Sequence, residues 1–387
     1  MYKDAIETAA KSIFVEKFIK NSAHKKQLFP NSPDSLNTKK MIMAKNVISN
    51  WPNHSPTKLR SLTAIAEFCG VKTVYYKDES SRLDLGSFKA LGGAYAVERH
   101  VKSKKIHGVL PENITVATAT DGNHGRSVAW GASRLGCKSK IFIHSNVSRN
   151  REYAMAALGA DVIRVEGNYE SSLAECFRQA VKNGWQIVSD TSWGKYKEIP
   201  LQILAGYSLI ADEAINQMGS DRPTHTFLPV GCGGLAAAIV AKLWEQMGEG
   251  LGKIVSVESA LAPCLLQSIE AGERTSFDTK QETVMAGLSC GEVSVIAWDI
   301  LYETITHCIS VNDDAIGPLM KLFANGGANG ESIEAGECST AGLAALLSCY
   351  TRPKIAAEMA LDSESVVFII GTEGATDREI YENLIRA

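Results

Sequence analysis

From residue 71 onward the apolar positions of the chain alternate between two periods. Short runs rich in Val, Ile and Tyr read as strands: VKTVYYK (71–77), ITVATA (114–119) and KIFIH (140–144). Between them, FKALGGAYAVERHV (88–101) and NHGRSVAWGASRLG (123–136) repeat apolar residues every three or four positions, as helices do. The alternation continues through a helix near residues 150–158, the strand ADVIRVEG, a helix over 171–182, the strand WQIVSD and an apolar helix over 200–218. THTFLPV, a helix from about Leu235 and KIVSVES follow, and SVVFIIG (365–371) is a late strand before a closing helix. Repeated strand–helix units bury both faces of a sheet, so the expected class is α/β, with parallel or mostly parallel twisted sheets and helices on both faces. The first 60 residues are polar and weakly periodic and are expected to wrap the outside or an interface.

Length and charge narrow the picture. A chain of 387 residues exceeds one ordinary core, so two domains are expected. A formal net charge of −3 gives no reason to expect nucleic acid or an acidic membrane surface as partner. No apolar run approaches the roughly 18–20 residues of a membrane span. The N-terminus mixes acids and lysines and lacks an apolar signal core, so a cytoplasmic location is expected. The nine cysteines are scattered without a CxxC pair, which suggests neither a metal site nor a disulfide framework. A single pair, such as Cys264 with Cys290, stays open, because sequence carries no Cα separation.

Four short stretches carry candidate chemistry, each at a strand-to-helix junction. In GSFKALGG (86–93), Lys89 lies near a helix start for which Ser87 is a plausible cap. The helix dipole disfavours an ammonium there, so the lysine is either out in solvent or held as something other than a free ammonium. Phe88 and the small residues Ala90, Gly92 and Gly93 suggest a close-packed surround, which suits a Schiff-base lysine. In PVGCGGL (229–235), three glycines in four residues let backbone amides converge on a phosphate at a helix N-terminus, or else serve a tight helix–strand crossing. The loop is neither GxGxxG nor a nucleotide P-loop. In GTEG (371–374), Thr372 offers a neutral hydroxyl to a ring nitrogen, or caps a helix with Glu373 in its first turn. TATDGNHG (118–125) has the form of an anion-holding turn, yet contains Asp121.

Lys89, the Asn123 loop, the glycine loop and Thr372, in that order, resemble the pyridoxal-phosphate enzymes of the β-family, or fold type II (tryptophan synthase β-like), from about residue 59 to the C-terminus. The resemblance implies that Lys89 carries the cofactor and that Asn123 meets its 3′-oxygen. It implies that Gly231, Cys232, Gly233, Gly234 and Leu235 surround the phosphate, with Phe88 beside the lysine, and that Thr372 contacts the pyridine nitrogen. It also implies a large cofactor-phosphate domain of residues 1–92 and 215–387, a small domain of residues 93–214 with the Asn loop and part of the substrate site, and a homodimer.

Family dehydratases carry an S-x-G-N-H loop that binds the substrate carboxylate. An aspartate there would repel that group by about 4 kcal/mol at ~4 Å and an effective dielectric near 20. Asp121 therefore suits a substrate with an extra positive charge, or a base. TDGNH, FKALGG and SDTSW (189–193) together resemble the branch that eliminates ammonia from 2,3-diaminopropionate, giving pyruvate and two ammonia. On that resemblance Lys89, Asp121 and Asp190 are catalytic, with Lys89 the base for the L-substrate and Asp121 for the D-substrate. Thr118, Thr120, Asp121, Gly122 and Asp190 line the amino-acid substrate. His124 is weighed mainly as a packing residue and Tyr169 as an entrance wall. The competing readings are a serine or threonine dehydratase, a lyase for a related β-substituted amino acid, and a non-catalytic amino-acid sensor. MAGLSCG (285–291) departs from the DGIAV-like turn of threonine dehydratases.

Overall fold

A computed structural model describes residues 2–25, 35–120, 122–278 and 281–386. It contains eleven strands: β1 (Val15–Lys20), β2 (Lys58–Ser61), β3 (Thr73–Asp78), β4 (Thr115–Ala119), β5 (Lys138–His144), β6 (Asp161–Val165), β7 (Gln186–Ile187), β8 (His225–Pro229), β9 (Lys253–Ser259), β10 (His307–Val311) and β11 (Val366–Gly371). They form a seven-stranded sheet in the order β1-β10-β9-β8-β11-β3-β2 and a four-stranded sheet in the order β6-β5-β4-β7. The smaller sheet is parallel throughout. In the larger one the central five strands are parallel and the two edge strands antiparallel. The expected class is the observed one: α/β with mostly parallel sheets.

The chain divides into two compact units, Met1–Pro33 with Pro56–Ser81 and Ile210–Ala387, and Asp34–Ser55 with Arg82–Leu209. The first holds the seven-stranded sheet and one large apolar core, in which Phe227, Val257, Ile309, Ile369 and Leu343 are fully buried. The second holds the four-stranded sheet, packed through Ala117, Phe142, Cys176 and Ala180. Lys89 and the helix it begins, Lys89–Ile106, fall in the second unit.

The N-terminal residues do more than wrap a surface. Helix Tyr2–Lys11 buries Ile6, Ala9 and Ala10 in the large core, and β1 extends the larger sheet. Three apolar residues on one helical face suffice for this, a pattern too sparse to stand out in a polar stretch. Residues 34–55 join the second unit through Trp51, whose indole N–H donates to Glu98 Oε2 at 2.7 Å while the Arg134 guanidinium lies over its ring at 4.8 Å.

WQIVSD also differs from expectation, because only Gln186–Ile187 forms a strand. The Tyr196 hydroxyl donates to Ile187 O at 2.9 Å and accepts from Ser189 N at 3.0 Å, so a side chain takes over the ladder. The chain leaves the sheet there, just before Asp190.

At the end of β3, in the first unit, Lys77 is fully buried. Its ammonium donates to Glu213 Oε2 and Thr57 O, each at 2.8 Å, and to Gln217 Oε1 at 2.9 Å. Breaking a buried pair from one side leaves the other charge uncompensated. Lys77→Met is therefore expected to lose about 3–5 kcal/mol of stability. The double variant Lys77→Met/Glu213→Leu should recover most of that in denaturant unfolding. A single variant as stable as the parent would refute the assignment.

Candidate active site

Lys89 is the first residue of its helix; the cap position is Phe88 rather than the expected Ser87, whose Oγ nonetheless accepts from the Lys89 amide N–H at 3.3 Å. The surround is close-packed. Ala90, Leu91, Ala94 and Val97 are buried, and Phe88 meets Tyr207 edge-on at 4.8 Å between ring centroids. A Cβ on Gly92 would lie 2.6 Å from Ile203 Cγ2 and closer still to the Tyr207 ring, so only glycine admits helix Glu198–Met218 at this distance.

The Lys89 ammonium pairs with Asp190 Oδ2 at 2.7 Å. Both side chains are largely buried within the second unit. Burial pushes the Asp190 carboxyl up, but the Lys89 charge overrides this and holds it well below the usual carboxylate range. The pair thus places an anion where the helix dipole favours one and compensates the cation that the dipole disfavours.

His124, buried at the start of helix Asn123–Leu135, also faces Asp190. Its Nε2 is 2.8 Å from Val188 O, an acceptor only, so Nε2 carries the proton of the neutral ring. The lone pair of Nδ1 then lies 3.9 Å from Asp190 Oδ2. Burial pushes the His124 pKa down, which keeps the ring neutral. His124 was weighed from sequence mainly as packing; its place beside Asp190 depends on a contact some 66 residues away, for which the sequence carries no signal.

The Asn loop is internally braced. Thr120 Oγ1 accepts from Gly122 N at 3.0 Å and from Gly125 N at 3.3 Å. The Gly122 amide is therefore already engaged. Thr118 is buried and donates to Ala119 O at 3.3 Å. Asn123 begins the helix and is half-buried. Asp121 lies outside the described residues. Tyr169 is half-buried at the start of helix Tyr169–Asn183.

The other candidates lie in the first unit. Gly231–Gly234 join β8 to the 14-residue helix Gly234–Met247. Gly233 has φ +89°, and a Cβ there would lie 2.9 Å from Ala297 Cβ. A Cβ on Gly231 would lie 2.8 Å from Gly287 O and 3.1 Å from Cys290 Sγ. Cys232 is half-buried, with its carbonyl accepting from Ser294 N at 2.9 Å, and Leu235 is buried. This is a backbone-lined turn at a helix N-terminus, the form that holds a phosphate through N–H groups. Within the first unit this turn fits a phosphate group, and within the second Lys89 offers the amine that an aldehyde would need. All nine cysteines stand outside disulfides, Cys264 and Cys290 included.

Thr372 is buried just past β11, and no helix begins there: the next one is Arg378–Arg386. Its neighbour Glu373 is buried rather than capping a first turn, and its Oε1 accepts from Cys338 N at 2.9 Å. Ser339 stands between them, 3.2 Å from Thr372 Oγ1. Neither Ser339 nor the buried state of Glu373 was anticipated; ECST (337–340) has no strand or helix period to mark it.

The sequence profile described as "Pyridoxal-phosphate dependent enzyme" matches residues 51–371. Diaminopropionate ammonia-lyase of Escherichia coli (strain K12) is 34% identical over 348 residues, covering 86% of this chain and 87% of that protein. The solved Escherichia coli diaminopropionate ammonia lyase in complex with an aminoacrylate-PLP azomethine reaction intermediate is 32% identical with a TM-score of 0.88, covering 96% of this chain and 97% of that one. The same enzyme in complex with D-serine is 32% identical with a TM-score of 0.89, again over 96% and 97%.

Gly233→Ala forces an L side chain into a positive-φ position against Ala297. The expected result is a loss of roughly 1–3 kcal/mol of stability and weaker cofactor retention. Cys232→Ala leaves the backbone donors in place and should change cofactor affinity little. Titrating both apo-variants with pyridoxal phosphate checks this, and equal affinities would refute a backbone phosphate cradle.

Proposed function

The chain belongs to the family of pyridoxal-phosphate-dependent enzymes, and from that premise we propose that it is a lyase converting 2,3-diaminopropionate, in both D and L forms, and water to pyruvate and two ammonia. The observation that carries this reading is the anion beside the reactive amine: Asp190 lies 2.7 Å from Lys89 Nζ. Asp121, the second acid, follows from the sequence. While Lys89 is a free amine it is the partner of Asp190; with Lys89 engaged by the cofactor, a β-ammonium would take that place, which a substrate with one amino group would not.

When bound, the cofactor supplies an electron sink for negative charge at the substrate α-carbon. The remaining work falls to the chain. Lys89 Nζ would hold the cofactor's aldehyde and, as a free amine, would take the α-proton of the L-substrate. Asp121 takes the α-proton of the D-substrate from the other face. Asp190 holds the β-amino group as its ammonium, because amide ion is a very poor leaving group and ammonia is not. The amides of Gly231, Cys232, Gly233 and Gly234 hold the phosphate, with Leu235 and Phe88 as apolar neighbours. Asn123 meets the 3′-oxygen and Thr372 the pyridine nitrogen. Thr118, Thr120 and Gly122 shape the turn that receives the substrate carboxylate. The large cofactor-phosphate domain and the small domain with the Asn loop remain part of this reading. So does a homodimer in the cytoplasm, with nine cysteines outside disulfides consistent with a reducing compartment; sedimentation as a monomer would exclude the dimer.

Incubation with DL-2,3-diaminopropionate, with L-serine and L-threonine in parallel, is expected to release ammonia and pyruvate in a ratio of about two with the hydroxy amino acids slow. Serine or threonine turnover alone, at equal ammonia and pyruvate, would make the protein a dehydratase. Asp121→Asn should lower turnover of the D-substrate by about 10²–10⁴-fold, the usual worth of a positioned base, and that of the L-substrate much less. Equal losses on both would remove Asp121 from the D-specific role.

A further inference from the structure

Two helices of the second unit begin with candidate site residues, Lys89–Ile106 with the lysine and Asn123–Leu135 with Asn123 and His124, and one buried hydroxyl joins them. Ser127 is fully buried; its Oγ donates to Ala90 O at 3.2 Å and accepts from Ala94 N at 2.9 Å. Ala90 O and Ala94 N are four residues apart, the two ends of one helical rung. The hydroxyl of one helix therefore stands across a rung of the other, in the turn that follows Lys89. The approach is close. A Cβ on Gly93 would lie 2.7 Å from Ser127 Oγ, and one on Gly131 would lie 2.8 Å from Ala94 Cα. A helix interior pairs its own N–H and C=O groups, so neither end of the rung needs Ser127 for a partner. The hydroxyl sets a distance instead.

Helix Asn123–Leu135 also holds the chain that carries Asp190. His124 stands three residues before Ser127, on the same stretch of helix surface. Its Nε2 lies 2.8 Å from the carbonyl of Val188, two residues before Asp190. Ser127 thus grips the Lys89 side and His124 the Asp190 side, and the 2.7 Å pair of Lys89 with Asp190 closes between them. We propose that Ser127 is a positioning residue, whose hydroxyl holds the first turns of the two helices in the register that puts the Lys89 ammonium on Asp190. Without the hydroxyl, Ala90 O and Ala94 N are left to each other, the turn after Lys89 closes, and the amine loses its fixed reach to the carboxylate. The inference rests on the reading that Lys89 carries the cofactor.

A purely structural role is the plain alternative, and hydrogen-bond counting separates the two. In Ser127→Ala no buried donor or acceptor is orphaned, because the two ends of the rung pair with each other, so the cost in stability is small. What changes is the setting of the amine. Within this unit Asp190 faces it, the neutral His124 ring stands behind the carboxylate, and the Tyr196 hydroxyl accepts from Ser189 N next to Asp190. A carboxylate held close favours the ammonium more than one held further away. Positioning is therefore read as a shift in the pH at which Lys89 becomes a nucleophilic amine.

The test uses the full-length apoprotein and follows its capture of pyridoxal phosphate by absorbance across pH, with Lys89→Arg as the blank for the other lysines. Asp190→Asn is expected to move the pH midpoint of the capture rate down, because the amine loses its counter-charge. Ser127→Ala is expected to move it in the same direction by a smaller amount, with a melting temperature close to the parent's. The double variant should show the midpoint of Asp190→Asn alone, because Ser127 acts only through that carboxylate. A Ser127→Ala midpoint equal to the parent's overturns the inference. So does a double variant whose shift is the sum of the two single shifts. A large fall in the Ser127→Ala melting temperature also overturns it, since Ser127 would then be holding the fold rather than the amine. If Lys89→Arg captures the cofactor as the parent does, the assignment of Lys89 itself fails, and this inference falls with it.

Discussion

A lysine at the first position of a buried-faced helix sets an electrostatic problem that the surrounding structure answers. The helix dipole opposes the Lys89 charge, and desolvation adds to the penalty. The answer is Asp190, brought to 2.7 Å by the chain turning out of the sheet after a two-residue strand. Tyr196 makes that exit possible by occupying Ile187 O and Ser189 N with one hydroxyl. The neutral His124 ring, fixed by Val188 O, closes the other side of the carboxylate. Three elements distant in sequence thus converge on one amine.

Chemistry of this kind requires rigid placement, and glycine supplies it in two ways. At Gly92 the missing side chain lets helix Glu198–Met218 press against the helix that carries Lys89. At Gly231 and Gly233 a side chain would collide with Gly287 O and with Ala297 Cβ, and Gly233 in addition holds a positive φ where β8 turns into the next helix. In the first case glycine serves packing alone; in the second it serves packing and the turn together. A side chain such as Cys232 can vary within such a loop because the donors belong to the main chain.

The end of β11 is braced differently. Ser339 Oγ donates to Glu373 O and accepts from Glu373 N, while the Glu373 carboxyl accepts from Cys338 N. Thr372 Oγ1 lies 3.2 Å from the same Ser339 hydroxyl. One short segment, 337–340, thereby satisfies the buried polar groups that follow the strand.

The sequence by itself determined the class of fold, most element positions and the kind of cofactor. Strand and helix periods are local, and the glycine loop, FKALGG and the TDGNH turn each sit within a few consecutive residues, so their chemistry could be read in place. An aspartate in an anion-binding turn likewise pointed to a cationic substrate without any coordinates. Only tertiary structure decided that Asp190 meets Lys89, that His124 stands behind Asp190, and that the N-terminal helix enters the core. It also decided that Glu373 is buried with Ser339 rather than capping a helix. These are contacts between residues tens to hundreds of positions apart, set by strand order and helix packing. Nothing in local periodicity encodes them.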